Sequence, residues 1–120
     1  MTAPRSLIID YLSEHLDVPA YGKVPNPRPD GFVRVLLHGG QGMLNPAVEE
    51  RSITVESWDD CDAAAAERAE KIRRLLKAAP GVHGAPFYRY REFGAPVAYD
   101  DDSEQFKYVF SFTMRFRLSA

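Results

Sequence analysis

Cysteine is nearly missing from this chain: Cys61 is the only one in 120 residues, so no intramolecular disulfide can form. A lone thiol fits a reducing, cytosolic origin. Long apolar runs are missing too, and none approaches the ~20 residues that would span a bilayer. Met1 to Asp10 lacks the basic-then-apolar layout of a secretory signal, so the expectation is a soluble, cytosolic protein. Charge of one sign is not in excess. A formal net charge of -2 argues against a surface that grips nucleic acid all round, although it leaves room for local basic patches. What is present is ordinary for a globular chain: 45% hydrophobic and 27% charged residues. The expectation is one domain over residues 1–120 with a modest core.

Pro4 and Ser6 to Ile9 open a first helix, with Ile8, Leu12 and Leu16 at i,i+4 spacing and Tyr11 beside them. Pro19 pushes Val18 out of the α region and ends the helix near Asp17. Residues 19–31 form a proline-rich arm (Pro19, Pro25, Pro27, Pro29) that is stiff because proline fixes φ. It serves either as a docking strap or as a plain surface crossing. Phe32 to His38 is apolar on both faces, as an interior strand is. Gly39-Gly40-Gln41-Gly42-Met43-Leu44-Asn45-Pro46 breaks it, with a tip over Gly39–Val48, and Glu50 to Ser57 then alternates with Ile53 and Val55 on one side. Together they read as a hairpin with a long glycine-rich tip.

Ser57-Trp58-Asp59-Asp60 has capping-box spacing ahead of a second helix. Its apolar stripe is Ala65, Ala69, Ile72 and Leu76, helped by Leu75, and Pro80-Gly81 stops it. Phe87 to Phe93 is a third strand, followed by a flexible loop at 94–105 that carries Asp100, Asp101, Asp102 and Glu104. The last strand alternates most regularly. Phe106, Tyr108, Phe110, Phe112, Met114, Phe116 and Leu118 share one face, so that face must be buried. The expected fold is α+β in the order α-β-β-α-β-β, a twisted four-stranded sheet with two helices on one face.

Catalytic constellations are sparse. Cys61 falls in the first turn of the second helix, where the dipole lowers a thiol pKa, but Asp59, Asp60 and Asp62 oppose that. A half-buried small hydrophobe describes it better. His15, His38 and His83 share no metal-site spacing. The glycine run lacks the Lys-Ser/Thr of a phosphate loop and leads into a strand rather than a helix. The Asp100 cluster lacks the spacing of a calcium loop. The expectation is no enzyme, and no catalytic, metal or cofactor site.

Charge placement points instead to partners. With strands three and four paired and Tyr88 and Tyr90 on the core side, Arg89 and Arg91 share the outer face with Lys107, Arg115 and Arg117. No acid on either strand joins them, and acids gather at the start of helix two and in the Asp100 loop. Opposite charges on separate surfaces suit head-to-tail contact between copies, which can close into a ring. Plain solvation of an exposed face, or weak tracking of phosphates, would use the same residues.

Pro27-x-Pro29, Phe32-Val33-Arg34-Val35, Gly39-Gly40, a second strand ending in Trp58, an alanine-rich helix with Leu75-Leu76 and a closing Arg115-Phe116-Arg117 come in sequence. From about Pro19 to Leu118 this order and texture resembles the tail terminator proteins of long-tailed (siphovirus-like) bacteriophages. The resemblance implies a structural virion protein without catalytic motif. Such proteins form a homo-oligomeric ring, usually of six subunits, on the head-proximal end of the tail tube. The ring ends tube polymerisation and joins the tail to head-completion or connector proteins, with genomic DNA passing through its lumen. On that reading Arg89, Arg91, Lys107, Arg115 and Arg117 meet a neighbouring subunit or line the lumen. Gly39, Gly40, Gln41, Gly42, Met43 and Leu44 contact the tube or connector. The alternatives are another phage neck or minor capsid subunit, or a small cytosolic nucleic-acid-binding domain.

Overall fold

The computed structural model describes residues 3–79, 87–99 and 104–117. Its elements are α1 (Pro4–His15), β1 (Ala20–Tyr21), β2 (Gly31–Leu37), β3 (Gly42–Asn45), β4 (Val48–Asp59), α2 (Asp62–Ala78), β5 (Phe87–Glu92), β6 (Val97–Ala98) and β7 (Phe106–Arg117). The class is α+β. The expected four-stranded sheet and α-β-β-α-β-β order are corrected: seven segments form one sheet in the order β1-β2-β4-β7-β5, with β3 on β4 and β6 on β7.

The additional segments arise from interruptions that the backbone absorbs. β4 and β7 pair antiparallel along their whole lengths, from Val48↔Arg117 to Asp59↔Phe106. β2 and β3 lie one after the other along the far edge of β4, with Leu37↔Ile53 and Gly42↔Glu50 on either side of a glycine bulge. β5 and β6 share the far edge of β7 in the same way, split at residues 93–96. The sheet therefore has five lanes. The fifth comes from the proline arm, whose Ala20 and Tyr21 pair parallel with Val33 and Arg34.

One face holds the core. Ile8 and Leu12 of α1 and Ala65, Ala69, Ile72 and Leu76 of α2 are fully buried, and they lie over Val33, Val35, Ile53, Val55, Phe110, Phe112 and Met114. Each large side chain placed there contributes about 1.5–3 kcal/mol relative to exposure. The helix stripes are those expected from their spacing. α1 stops at His15, where the Leu16 N–H reaches the Leu12 carbonyl at 2.9 Å. The capping box is not formed. Trp58 and Asp59 stay in β4 because both are paired on two sides, with Phe32 and Gly31 of β2 and with Lys107 and Phe106 of β7. The helix N-cap is Cys61, which is exposed rather than half-buried, and its side chain caps nothing. Phe106 also departs from expectation. At the very end of the ladder it is 47% exposed.

In the 94–105 segment Val97 and Ala98 pair with Val109 and Tyr108. Asp100, Asp101 and Asp102, like His83, Pro80-Gly81 and Leu118, lie outside the described residues. Among those described, no helix is long and apolar enough to cross a membrane.

Candidate functional site: the open face of the sheet

Both helices pack on one side, so the alternate residues of every lane face the other way, where no helix covers them. This open face has two unlike ends. At one end Phe32 and Trp58 are buried and stacked, with centroids 5.2 Å apart, and Tyr21 leans on Phe32 from β1. The Lys107 ammonium lies 4.7 Å from the Trp58 ring and 4.4 Å from the Tyr99 ring, and Arg28 covers Trp58 from the arm. Gln105 fastens the arm by donating to the Pro29 carbonyl at 3.0 Å. The proline arm is thus a strap closing one end of the open face.

Lys107 is one of the residues expected on an accessible basic surface, and the structure corrects this. Its side chain is 9% exposed and 3.9 Å from Glu56, which also accepts from the Trp58 indole at 3.1 Å and pairs with Arg34 at 3.5 Å. Neither β5 nor β7 places an acid on the open face, but β4 borders β7 there as well and brings acids of its own. Glu50 and Glu56 project from β4 on the open side, and Arg115 meets Glu50 at 3.4 Å. A charge so enclosed needs such a partner.

The other end holds the remaining arginines. β5 carries one extra residue between Tyr88 and Arg91, which shifts its register on β7. Tyr88 therefore stands opposite Arg115 on the open face rather than in the core, and Arg117 stacks over it at 4.7 Å. Tyr90 keeps its core position, 5.0 Å from Phe112. Arg89 occupies the bulge at φ 59°, a conformation rare for residues other than glycine. Arg89 and Arg91 are exposed, and among the described residues neither forms an ion pair.

The expected tip at Gly39–Val48 contains the turn, but its glycines are not at it. The turn is at Asn45–Val48, where the Asn45 side chain accepts from the Ala47 N–H at 2.8 Å. Gly40 and Gly42 adopt φ of 65° and 76° in a mid-strand bulge. A Cβ on Gly40 would come within 2.7 Å of the Ser52 nitrogen and 2.8 Å of the Glu50 carbonyl oxygen. This close approach brings Gly40 and Gln41 to Arg89, Arg91, Phe93 and Arg115 across a groove of about 440 Å³, with Glu50 and Glu92 in its walls. Two sets of residues singled out separately thus meet in one place. Met43 and Leu44 stand apart on β3, 68% and 39% exposed.

Glu92 had no role by sequence, and only the packing of α2 on β5 reveals one. Its carboxylate is forked by the Arg73 guanidinium, Nη2 to Oε2 at 2.8 Å with a second contact from Nε, and it accepts from the Tyr90 hydroxyl at 2.8 Å. The Arg73 hydrogen bonds hold Glu92 below the usual carboxylate range. Burial, then the neighbouring Glu92, pushes the Tyr90 hydroxyl well above its ordinary value. The wall carboxylates are accordingly spoken for, Glu92 by Arg73 and Glu50 by Arg115.

Among the described residues no group of three or more His, Cys, Asp or Glu side chains is placed to hold a metal. Compared with other proteins, the chain matches no family model, and no curated protein matches it in sequence.

Proposed function

We propose that this chain is a structural subunit of a tail-terminating ring, six copies closing on the head-proximal end of a phage tail tube. The ring stops tube growth, presents a surface to the head-completion proteins and lets genomic DNA pass through its lumen. It acts in the virion neck after assembly in the host cytoplasm, and no chemistry is asked of it. The observation that carries the reading is the sheet face left without helices, strapped at one end and open at the other. The open end bears Arg89 and Arg91, which form no ion pair among the described residues, and the exposed Phe93 lines it. Among the described residues β1 and β5 are the outer strands of the sheet, and such edges are suited to meeting neighbours. Met43 and Leu44, at the end of the β3–β4 hairpin, are the apolar contact offered to the tube or connector.

Negative-stain images and mass photometry of the purified protein test this. Closed rings, and an arrest of tube elongation when the protein is added to assembling tail tube subunits, are the expected results. A particle that stays monomeric at every concentration and leaves elongation unchanged would overturn the reading. One observation favours a second reading, a small nucleic-acid-binding domain: Arg89 and Arg91 are free of carboxylate partners among the described residues. That reading predicts a monomer that retards short duplexes, with an affinity falling steeply in salt.

A further inference from the structure

The arginine groove has a complement on the same molecule. At the far end of the β4–β7 ladder, Asp30 and Asp60 stand side by side on adjoining segments, joined by the Asp60 N–H to the Asp30 carbonyl at 3.1 Å. Asp59 beside them is taken by Arg68 at 2.8 Å, which in turn donates to the Trp58 carbonyl at 2.9 Å. Asp30 and Asp60 are exposed, and among the described residues neither has a cationic partner. Their mutual hydrogen bond and repulsion raise the Asp30 carboxyl above its ordinary value. Among the described residues, each end therefore carries two groups of one sign without an opposite partner. From Ser52, beside the groove, to Asp59 the ladder covers about 23 Å at ~3.3 Å per residue, too far for one molecule to join the two ends itself.

We infer that the groove between the glycine bulge and β5 receives the Asp30–Asp60 corner of a second copy of this chain, with Arg89 and Arg91 as the receiving charges. This rests on the ring reading and supplies its subunit junction. A contact between unlike surfaces is heterologous, so every copy offers one donor corner and one free groove, and repetition closes a ring or extends a filament. The charge count favours such an occupant: the corner's two carboxylates can each meet one of Arg89 and Arg91, the groove guanidinium groups without an ion pair among the described residues, while Glu50 of the wall is already held by Arg115. The left-handed backbone at Arg89 belongs in the same picture, since strained conformations persist where a side chain has to be aimed.

A charge-swap experiment on the full chain tests this. Arg89→Glu with Arg91→Glu, and separately Asp30→Lys with Asp60→Lys, should each weaken self-association at least tenfold by mass photometry and sedimentation. The two double variants mixed in equal amounts should assemble in alternation, the Asp corner of one on the Arg groove of the other and the Lys corner of the second on the Glu groove of the first, and a chain carrying all four changes should assemble again. All four positions are exposed, and Arg89→Gln with Arg91→Gln provides a milder pair should the reversal unfold the protein, as judged by Trp58 fluorescence. Wild-type rings that persist unchanged in both double variants would sink the inference and leave the ring reading standing. A wild-type chain that neither self-associates nor caps tubes would sink both. A four-change chain that stays monomeric would show that the two ends are not each other's partners. Loss of duplex DNA binding with assembly intact would assign the groove to nucleic acid instead.

Discussion

Three alanine substitutions within four residues separate the reasons for the glycine bulge. Gly39 has no positive φ and nothing within 4 Å of an added Cβ, so Gly39→Ala should be neutral or stabilise by a few tenths of a kcal/mol, on the order of the ~0.4–1 kcal/mol seen at compatible sites. Gly42 also has open space around it but φ of 76°, so Gly42→Ala carries only the left-handed penalty, about 1–2 kcal/mol. Gly40→Ala carries that penalty and also drives a methyl against three backbone atoms of β4 at 2.7–2.9 Å. Those atoms belong to a strand held on both sides and cannot yield as a flexible side chain would. Overpacking of this kind adds about 1–3 kcal/mol, for a total of roughly 2–5 kcal/mol. Against the ~5–15 kcal/mol typical of a domain, that is a substantial share, from about an eighth at one extreme to the whole at the other. Urea titration followed by Trp58, the single and 4% exposed tryptophan, reads all three. Equal losses for Gly40→Ala and Gly42→Ala would refute the argument, because the bulge would then be able to lift from β4, and the groove it helps to wall would not be a fixed shape.

Two further outcomes follow from the charged contacts. Glu92 has a depressed folded-state pKa, so its contribution to stability is present above the ordinary carboxylate value of ~4.3 and is lost as pH falls through the depressed one. The stability gap between wild type and Glu92→Gln should therefore be widest near neutrality and narrow toward pH 3, and a gap independent of pH would show that Arg73 gains nothing from the negative charge. Lys107→Ala removes the ammonium from the Trp58 and Tyr99 rings, which should cost about 1–2 kcal/mol and move Trp58 emission to longer wavelength. Unchanged emission would mean that the rings close over the gap without the lysine.

Residues that obey one strong period were legible without coordinates. The stripe Ala65, Ala69, Ile72 and Leu76 and the alternation from Phe110 to Phe116 each follow from a regular element covering a core. Legibility failed where a single extra residue mattered. Nothing about an arginine announces a left-handed bulge, so simple alternation puts Tyr88 on the core face that, of the two tyrosines, Tyr90 alone occupies. The glycine run has the composition of a tip, and only the pairing of Gly42 with Glu50 shows that the strand resumes after it. The acids under the basic face were hidden for another reason. Glu50 and Glu56 become neighbours of Arg115 and Lys107 only once β4 is known to lie beside β7, and a linear pattern carries no strand order. Of the candidate interface residues, Arg89, Arg91 and Arg115 gather with Gly40 and Gln41, while Lys107 is enclosed and Arg117 lies on Tyr88.

The full-length pairing of β4 with β7 has a kinetic side. β7 enters last among the described strands, yet it lies next to the centre of the sheet, and its partner was synthesised before α2 and β5. The β2–β3–β4 hairpin and α2 can form locally on a nascent chain, but one whole edge of β4 stays bare until residues 106–117 emerge. Joining distant segments requires loop closure before any contact rewards it, which makes such sheets slow and cooperative to form. Until then the bare edge is a template for other chains. Chains halted before Phe106 should accumulate as aggregates rather than as smaller folded pieces, and the order of synthesis thus leaves the cell a single moment at which this protein becomes folded.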